Sequence, residues 1–98
     1  MSVRLRVDKL AADDLSESAS WYRNHSEDRD LVFLAAVEGA FDRIREFPGT
    51  HERLRPDIYR VLVAKFPFAV VYRFDKSSVE IVAVYHFGRR SRVWRNRV

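Results

Sequence analysis

Two adjacent apolar runs in the second half of the chain, FAVVYRF at residues 68–74 and VEIVAVY at residues 79–85, decide the fold. Both are rich in β-branched and aromatic residues, which favour strands, and the polar residues 75–78 between them are typical of a hairpin turn. The first run is apolar on both faces, so we expect it to lie in the middle of a sheet. The sequence therefore predicts an antiparallel strand pair at 68–74 and 79–86.

Upstream segments complete the predicted sheet. Residues 58–64 are again β-branched and aromatic, and Phe66-Pro67 marks a tight turn that leads into the central strand. At the start of the chain, apolar residues alternate with arginines over 3–7, which predicts a short, half-buried strand. Residues 50–57 are polar and contain a proline, so we expect a loop there. Four strands result, and most of them are antiparallel.

Between the first strand and this loop, the apolar period changes from two residues to 3.6 residues. The spacing predicts two amphipathic helices, at 8–24 and 27–47. Asp8 is placed to cap the first helix, Ser26 to start the second, and Pro48-Gly49 to end it. Because the link between them is short, we expect the two helices to form an antiparallel hairpin.

The two layers predict one α+β domain over residues 1–98, with the helix hairpin on one face of the sheet and a short basic turn or helix at the C-terminal end. Phe41 of the second helix and Val70 of the central strand should lie in the core. Strand parity assigns five residues to the face under the helices: Phe68, Val70, Tyr72, Ile81 and Ala83. It assigns seven others to the opposite face: Val61, Val63, Val71, Arg73, Val82, Val84 and His86. That second face is apolar, and only the C-terminal tail or a partner is left to cover it.

Composition narrows the classes of function. The chain has 98 residues, 47% hydrophobic and 33% charged, which is typical of one small globular domain. It has no cysteine, which excludes disulfides, thiolate metal sites and a cysteine nucleophile. The three histidines lie far apart in the sequence, so we expect no metal and no cofactor. No apolar run is long enough to cross a membrane, and the first residues lack a signal-peptide core, so we expect a cytoplasmic protein.

Charge is distributed unevenly along the chain. Residues 1–52 carry seven basic and eleven acidic residues, a net charge of −4, whereas residues 53–98 carry eleven and three, a net charge of +8. Fifteen of the eighteen basic residues are arginine, which suits fixed contacts with carboxylates, phosphates and aromatic rings. The last ten residues hold five arginines and no acid. Such a tail either contacts an acidic partner or is a solvated end of the chain.

Few side chains suggest catalysis. Asp13, Asp14 and Glu17 could act as paired acids, but their position on a surface helix favours a solvated face. Trp21 could form a stacking platform with its neighbour Tyr22, although at least one of the two should belong to the core. There is no glycine-rich phosphate loop and no serine nucleophile motif.

His86 and the tail after it are the most informative segment. His86 could be a general base near neutral pH or a residue that hydrogen-bonds the end of its strand. If residues 91–97 form a helical turn, Arg90, Trp94 and Arg97 share one face, which would suit nucleic acid or a protein hot spot. The alternative is that Trp94 packs back onto the uncovered face of the sheet.

The order and spacing of several motifs resemble the RelE/ParE superfamily of bacterial type II toxins, closer to the ParE branch, over essentially the whole chain. The resemblance rests on Ala12-x-Asp14-Leu15 with Trp21-Tyr22, Ile44 to Pro48, Phe66-Pro67-Phe68-Ala-Val-Val-Tyr72, and Ile81-Val-Ala-Val84-x-His86 followed by Arg90 and Trp94. It implies the helix hairpin on an antiparallel sheet that the periodicity also predicts.

The resemblance also implies two alternative activities. RelE-like toxins cleave mRNA on the ribosome, and ParE-like toxins inhibit DNA gyrase. RelE-like nucleases resemble one another in an arginine where this chain has Ala69, and many carry a tyrosine where it has Trp94. Their absence favours a gyrase inhibitor over an enzyme. The alternative is an mRNA endoribonuclease that uses His86 and Arg90.

The resemblance implies a cognate acidic, ParD-like antitoxin as partner, with DNA gyrase as target and the ribosome with its mRNA as the alternative. We expect the antitoxin to cover the second sheet face. Target or partner binding is expected at seven residues: Arg60, Arg73, His86, Arg89, Arg90, Trp94 and Arg97.

Overall fold

The computed structural model describes residues 3–98 and shows an α+β fold with one mixed sheet. The elements in chain order are β1 Arg4–Val7, α1 Lys9–His25, α2 Arg29–Glu46, β2 Glu52–Arg55, β3 Ile58–Leu62, β4 Phe68–Asp75, β5 Ser78–His86 and a 3-10 helix Val93–Asn96. The strand order is β1-β5-β4-β3-β2. Only the β1–β5 pair is parallel. The central position of β4 and the 68–74/79–86 hairpin are confirmed.

The sheet has five strands, not four, because β2 lies within the segment 50–57 that was predicted as a loop. This strand has the sequence Glu-Arg-Leu-Arg, so its own pattern carries no apolar alternation. It is held at the sheet edge by pairing with β3, where Glu52 opposes Arg60. The two strands form a hairpin that turns at residues 56–57, and a strand made mostly of charged residues is hard to recognise from its own pattern. Its charged side chains protect an exposed edge.

The helices match the predicted periodicity, with a shifted start for the second. Ser26 belongs to the end of α1, because its N–H donates to the Tyr22 carbonyl at 2.9 Å. Asp28 then adopts a left-handed backbone with φ of 60°, and α2 begins at Arg29. Asp8 precedes α1 as predicted, but its side chain makes no capping hydrogen bond.

The main core lies between the helices and the sheet. Phe33 of α2 packs against Phe66 and Phe68, with ring centroids 5.3 and 4.8 Å apart. Phe41 and Val70 are both buried, which confirms their predicted place in the core. Clustered aromatic rings of this size dominate the burial energy of a small domain.

A β-bulge corrects the predicted faces of β5. Val71 opposes Ala83 and Tyr72 opposes Ile81, so Val82 is an extra residue in β5. Beyond it the alternation inverts, because two consecutive residues share one face at a bulge. Ala83 therefore lies on the face away from the helices, whereas Val84 lies under them. The parity prediction was wrong at both positions, and His86, which shares the parity of Val84, moves to the helix side with it.

The predicted faces of β3 were also wrong. Val61 opposes Val70 in the β3–β4 register, and directly paired residues share one face of a sheet. Val61 and Val63 consequently join the core under the helices. The sequence shows which residues of a strand share a face. Which of the two sets faces the helices depends on the register with the neighbouring strand.

The second face of the sheet is covered by the chain itself. Trp94, only 6% exposed, packs there with six other buried residues: Ile58, Ala69, Val71, Val82, Ala83 and Tyr85. The guanidinium of Arg55 lies 5.0 Å from the Trp94 ring centroid. The expectation of an open apolar face awaiting an antitoxin was therefore wrong, and the alternative, in which Trp94 packs back onto the sheet, is confirmed.

Candidate functional site

Arg97 is fixed inside the protein by Asp14. Its Nη1 and Nη2 donate to the two Asp14 carboxylate oxygens at 2.6 and 3.0 Å, and Nη1 also donates to the Val82 carbonyl at 3.1 Å. Asp14 in turn accepts the Val84 backbone N–H at 3.0 Å. The pair therefore satisfies two backbone groups of the bulged strand that no ladder partner reaches. The hydrogen bond to Asp14 raises the pKa of Arg97 above its ordinary value.

Two expectations are corrected at this pair. Asp14 is 7% exposed and so does not belong to a solvated face, although Asp13 and Glu17 beside it do. The predicted shared face of Arg90, Trp94 and Arg97 does not form, because Trp94 and Arg97 both turn into the protein.

Arg60 and Arg73 also have carboxylate partners. Arg60 donates to both oxygens of Glu52, at 3.0 and 2.6 Å, and more weakly to the Tyr85 hydroxyl at 3.4 Å. The bond to Glu52 is the largest cause of its raised pKa. Arg73 pairs with Glu80 at 2.9 Å and with Asp57 at 3.3 Å. Guanidiniums held in this way are poorly placed to bind a new partner, since they would first have to leave these carboxylates.

The remaining predicted residues, His86, Arg89 and Arg90, meet at one place. His86 is the last residue of β5, and the two arginines follow it in the chain. All three line a cavity of about 210 Å³ between α1, the start of β4, the end of β5 and the C-terminal segment. The backbone N–H groups of Arg89 and Arg90 both donate to the His86 carbonyl, at 3.1 and 2.9 Å. This turn fixes the direction in which the two arginines leave the sheet.

Gly88 packs closely against the His86 imidazole. Its N–H donates to His86 Nδ1 at 3.1 Å, and a Cβ at this position would lie 3.0 Å from the imidazole Cε1. The bond makes Nδ1 an acceptor, so a neutral His86 carries its proton on Nε2. His86 thus performs the strand-end role that the sequence left open beside the general-base role.

The opposite wall of the cavity comes from α1. Trp21 is 44% exposed, its ring stacks on His25 with centroids 4.1 Å apart, and the Arg89 guanidinium lies 5.7 Å from it. Tyr22 instead turns inward and packs against Phe33 at 5.1 Å. Burial raises the pKa of Tyr22, while Arg29 and Arg89 lower it by a smaller amount. One residue of the pair is core and the other is surface, as expected.

Sequence reasoning missed part of this wall. Glu17 and Ser18 line the cavity together with Trp21. Their spacing by three and four residues on one helix was the available signal. The side of the helix that faces the end of β5 was set only by the packing of α1 on the sheet.

The site offers an apolar floor with two guanidiniums and an imidazole at its rim. Within residues 3–98, no three His, Asp or Glu side chains come close enough to hold a metal ion. In the same part of the chain, no helix combines the length and the apolar character needed to cross a bilayer. Ala69 and Trp94 are buried in the cluster on the second sheet face and offer no group for proton transfer.

Known proteins share this fold. The chain aligns with a free-state mutant of the E. coli toxin RelE at 18% identity and a TM-score of 0.67, covering 99% of this chain and 94% of that one. It also aligns with a chain of the chromosomal ParDE system of P. aeruginosa at 16% identity and a TM-score of 0.61, covering 86% and 95%. At these identities the likeness concerns the fold alone.

Sequence comparison identifies the family. The chain is 30% identical over 87 residues to Toxin ParE2 of two Mycobacterium tuberculosis strains, covering 88% of this chain and 83% of each relative. The family model described as the ParE toxin of the type II toxin-antitoxin system parDE matches residues 5–94. The family match extends from β1 to Trp94 and includes the residues that line the cavity. The chain therefore belongs to the ParE toxin family of type II toxin–antitoxin systems, within the RelE/ParE superfamily.

Proposed function

We propose that this toxin arrests growth in the cytoplasm by inhibiting DNA gyrase, and that a ParD-type antitoxin neutralises it. The observation that carries the proposal is the pair of exposed guanidiniums of Arg89 and Arg90, held by a hydrogen-bonded turn beside the exposed ring of Trp21. Arginine and tryptophan side chains together are typical of protein hot spots.

The chemistry of the same surface supports an inhibitor rather than a nuclease. Cleavage of RNA needs one group to activate the 2′-hydroxyl and another to protonate the leaving oxygen. His86 is one candidate, but its Nδ1 already accepts a backbone N–H. Trp94, which stands where a catalytic tyrosine would act in the RelE branch, is buried and has no ionisable hydroxyl. Binding through fixed cations needs neither group.

The proposal narrows the set of target-binding residues. Of the seven expected from the sequence, His86, Arg89 and Arg90 remain accessible without breaking a close ion pair. Arg60, Arg73 and Arg97 are engaged with carboxylates, and Trp94 is buried. The target site is thus the turn after β5, and the engaged arginines support the fold beneath it.

The test measures gyrase supercoiling and ribosome-dependent mRNA cleavage with the same purified protein. The test variant is the double substitution Arg89→Glu/Arg90→Glu, and the matched control is Arg92→Glu, which changes an exposed arginine outside the cavity. Point substitutions are needed because truncation after Gly88 would remove Trp94 from the core. We expect the wild type and the control to inhibit supercoiling and the double variant to lose inhibition.

Cleavage of ribosome-bound message that disappears in His86→Ala would overturn the gyrase proposal in favour of the nuclease. Full supercoiling inhibition by the double variant would instead remove the turn after β5 from the mechanism.

A further inference from the structure

We infer that the cavity between α1 and β5 receives one large apolar side chain from an acidic segment of the antitoxin, whose carboxylates pair with Arg89 and Arg90. The inference deepens the proposed function and rests on it, because it takes an antitoxin as the partner. It assigns the antitoxin to the rim and floor of this cavity instead of the second sheet face, which Trp94 already covers.

The size of the cavity indicates the occupant. Its volume is about 210 Å³, whereas sites that enclose a small-molecule ligand usually measure roughly 300–1,000 Å³. One aromatic or branched aliphatic side chain is therefore a better fit than a nucleotide. The floor suits such a group, because Tyr22, Phe68 and Val84 present carbon surface there. Trp21, which lines the same cavity and is 44% exposed, extends this apolar surface toward solvent.

The charges at the rim indicate what surrounds that side chain. Within residues 3–98, no carboxylate lies within 4.0 Å of the Arg89 guanidinium, whose close contact is the face of Trp21. Arg90 Nη1 lies 3.7 Å from Glu17 Oε2, and both side chains are more than half exposed. Solvated pairs at this distance contribute little, so Arg90 can exchange Glu17 for another carboxylate at low cost. By contrast, Arg97 is bound by Asp14 through two short hydrogen bonds.

The same rim argues against a nucleic-acid strand as occupant. Glu17 forms part of the α1 wall, and Asp13 lies exposed on the same helix. A phosphate backbone that followed the cavity would be repelled by this wall, whereas a peptide can place its carboxylates on the arginine side and an apolar group toward α1.

A regulatory consequence follows from shared residues. Arg89 and Arg90 belong both to the proposed target surface and to the proposed antitoxin site. An antitoxin segment seated in the cavity would cover the two guanidiniums that gyrase has to reach. Neutralisation then needs no change in the fold of the toxin, because the two partners compete for the same cations.

The experiment uses the intact 98-residue chain, with its cognate ParD-type antitoxin as the probe. Ser18→Phe fills the cavity from α1, and Ser16→Phe places the same ring on the opposite, exposed side of that helix as the matched control. We expect Ser18→Phe to weaken antitoxin binding by about tenfold or more and Ser16→Phe to leave it within about twofold. The double variant Arg89→Glu/Arg90→Glu should weaken antitoxin binding at least as much as Ser18→Phe does, and it should make the binding less dependent on salt. Arg92→Glu should do neither.

The two tryptophans provide a second readout. In ¹⁵N-labelled toxin, the antitoxin should shift the indole N–H signal of Trp21 and leave that of buried Trp94 in place. An unchanged Trp94 signal in each variant also shows that the variant is folded. Equal antitoxin affinities for Ser18→Phe and Ser16→Phe would overturn the inference while leaving the proposed function intact.

Two other outcomes separate the alternatives. A Trp21 shift with single-stranded oligo(dT) but not with the antitoxin would assign the cavity to nucleic acid and overturn the inference. A wild-type toxin that does not bind the antitoxin at all would overturn the proposed partner itself, together with the inference that depends on it.

Discussion

Two halves of the C-terminal segment, residues 87–92 and 93–98, are both rich in arginine but differ in what those arginines contact. In the second half, Trp94 and Arg97 are part of the folded interior, where they close the second sheet face and bind Asp14. In the first half, Arg89 and Arg90 project from a turn, and Arg90 has only a solvated carboxylate near it. One arginine-rich, acid-free stretch of sequence therefore contains a structural part and an accessible part.

The difference shows that the partner of a charged side chain decides its role. A buried guanidinium is tolerated only because its carboxylate and backbone partners replace water, and removing one partner leaves the other charge uncompensated. An exposed guanidinium loses little when it changes partners, so it is available for binding. The predictions below separate the two halves by stability and by binding, from the largest expected effect to the smallest.

Asp14→Ala should cause the largest loss of stability. It leaves the Arg97 guanidinium and the Val84 N–H buried without their acceptor, which costs about 3–5 kcal/mol in the free energy of unfolding. Urea denaturation followed by circular dichroism measures this loss. Asp13→Ala, which changes the exposed neighbour, is the control and should cost less than about 1 kcal/mol. Equal effects of the two substitutions would contradict the internal role of the Asp14–Arg97 pair.

Trp94→Ala should lower the free energy of unfolding by about 3 kcal/mol, which is at the lower end for a buried tryptophan. The flexible side chains of Arg55 and Arg95 lie over the ring and can move into part of the space it leaves. Thermal unfolding checks the prediction. The control is Trp21→Ala, which removes an exposed ring and should change stability by less than about 1 kcal/mol. A larger loss for Trp21 would reverse the assignment of the two tryptophans.

Gly88→Ala tests the turn that begins the first half. The new methyl group would lie about 3.0 Å from His86 Cε1, so the imidazole has to turn out of its present position. We expect the free energy of unfolding to fall by about 0.5–1.5 kcal/mol. The same substitution should displace the His86 ring signals in an NMR spectrum, and unchanged signals would argue against the close approach of Gly88 to the imidazole.

Arg90→Ala should have the smallest effect on stability, within about 0.5 kcal/mol, because its ion pair with Glu17 is long and solvated. If the proposed function is right, the substitution should instead weaken inhibition of gyrase supercoiling. Parallel measurement of unfolding and of supercoiling distinguishes this result from that of Arg97→Ala, which should destabilise the fold. A strongly destabilised Arg90→Ala would place both halves of the segment in the core.

Local patterns were sufficient for the secondary structure of most of the chain. The 3.6-residue period predicted both helices, and the apolar runs predicted β3, β4 and β5 to within about two residues. The family motifs were also visible in order along the chain. Strand β2 was missed because three of its four residues are charged, so its only apolar residue, Leu54, gives no alternating pattern.

The candidate site was predicted in part. His86, Arg89 and Arg90 were expected, and the structure brings them together at the cavity. Trp94 and Arg97 were expected at the same surface but lie inside. Trp94 covers the apolar residues of the second sheet face, and Arg97 donates to the carbonyl of Val82 at the bulge. Neither contact can be predicted from the sequence of the tail alone.

The sequence by itself determined the element types, the α+β class, the uneven charge and the likeness to the ParE family, since each depends on neighbouring residues or on motif order. The tertiary structure alone decided which face each strand residue occupies and which arginines are free. The reason is physical: the register of β3 and the extra residue Val82 in β5 are set by pairing with β4, and the contact of Arg97 with Asp14 joins residues 83 positions apart. The pattern of apolar side chains specifies the period of a helix or strand. Which face of a strand is buried depends on strand pairing, and which groups the tail arginines contact depends on how the tail packs.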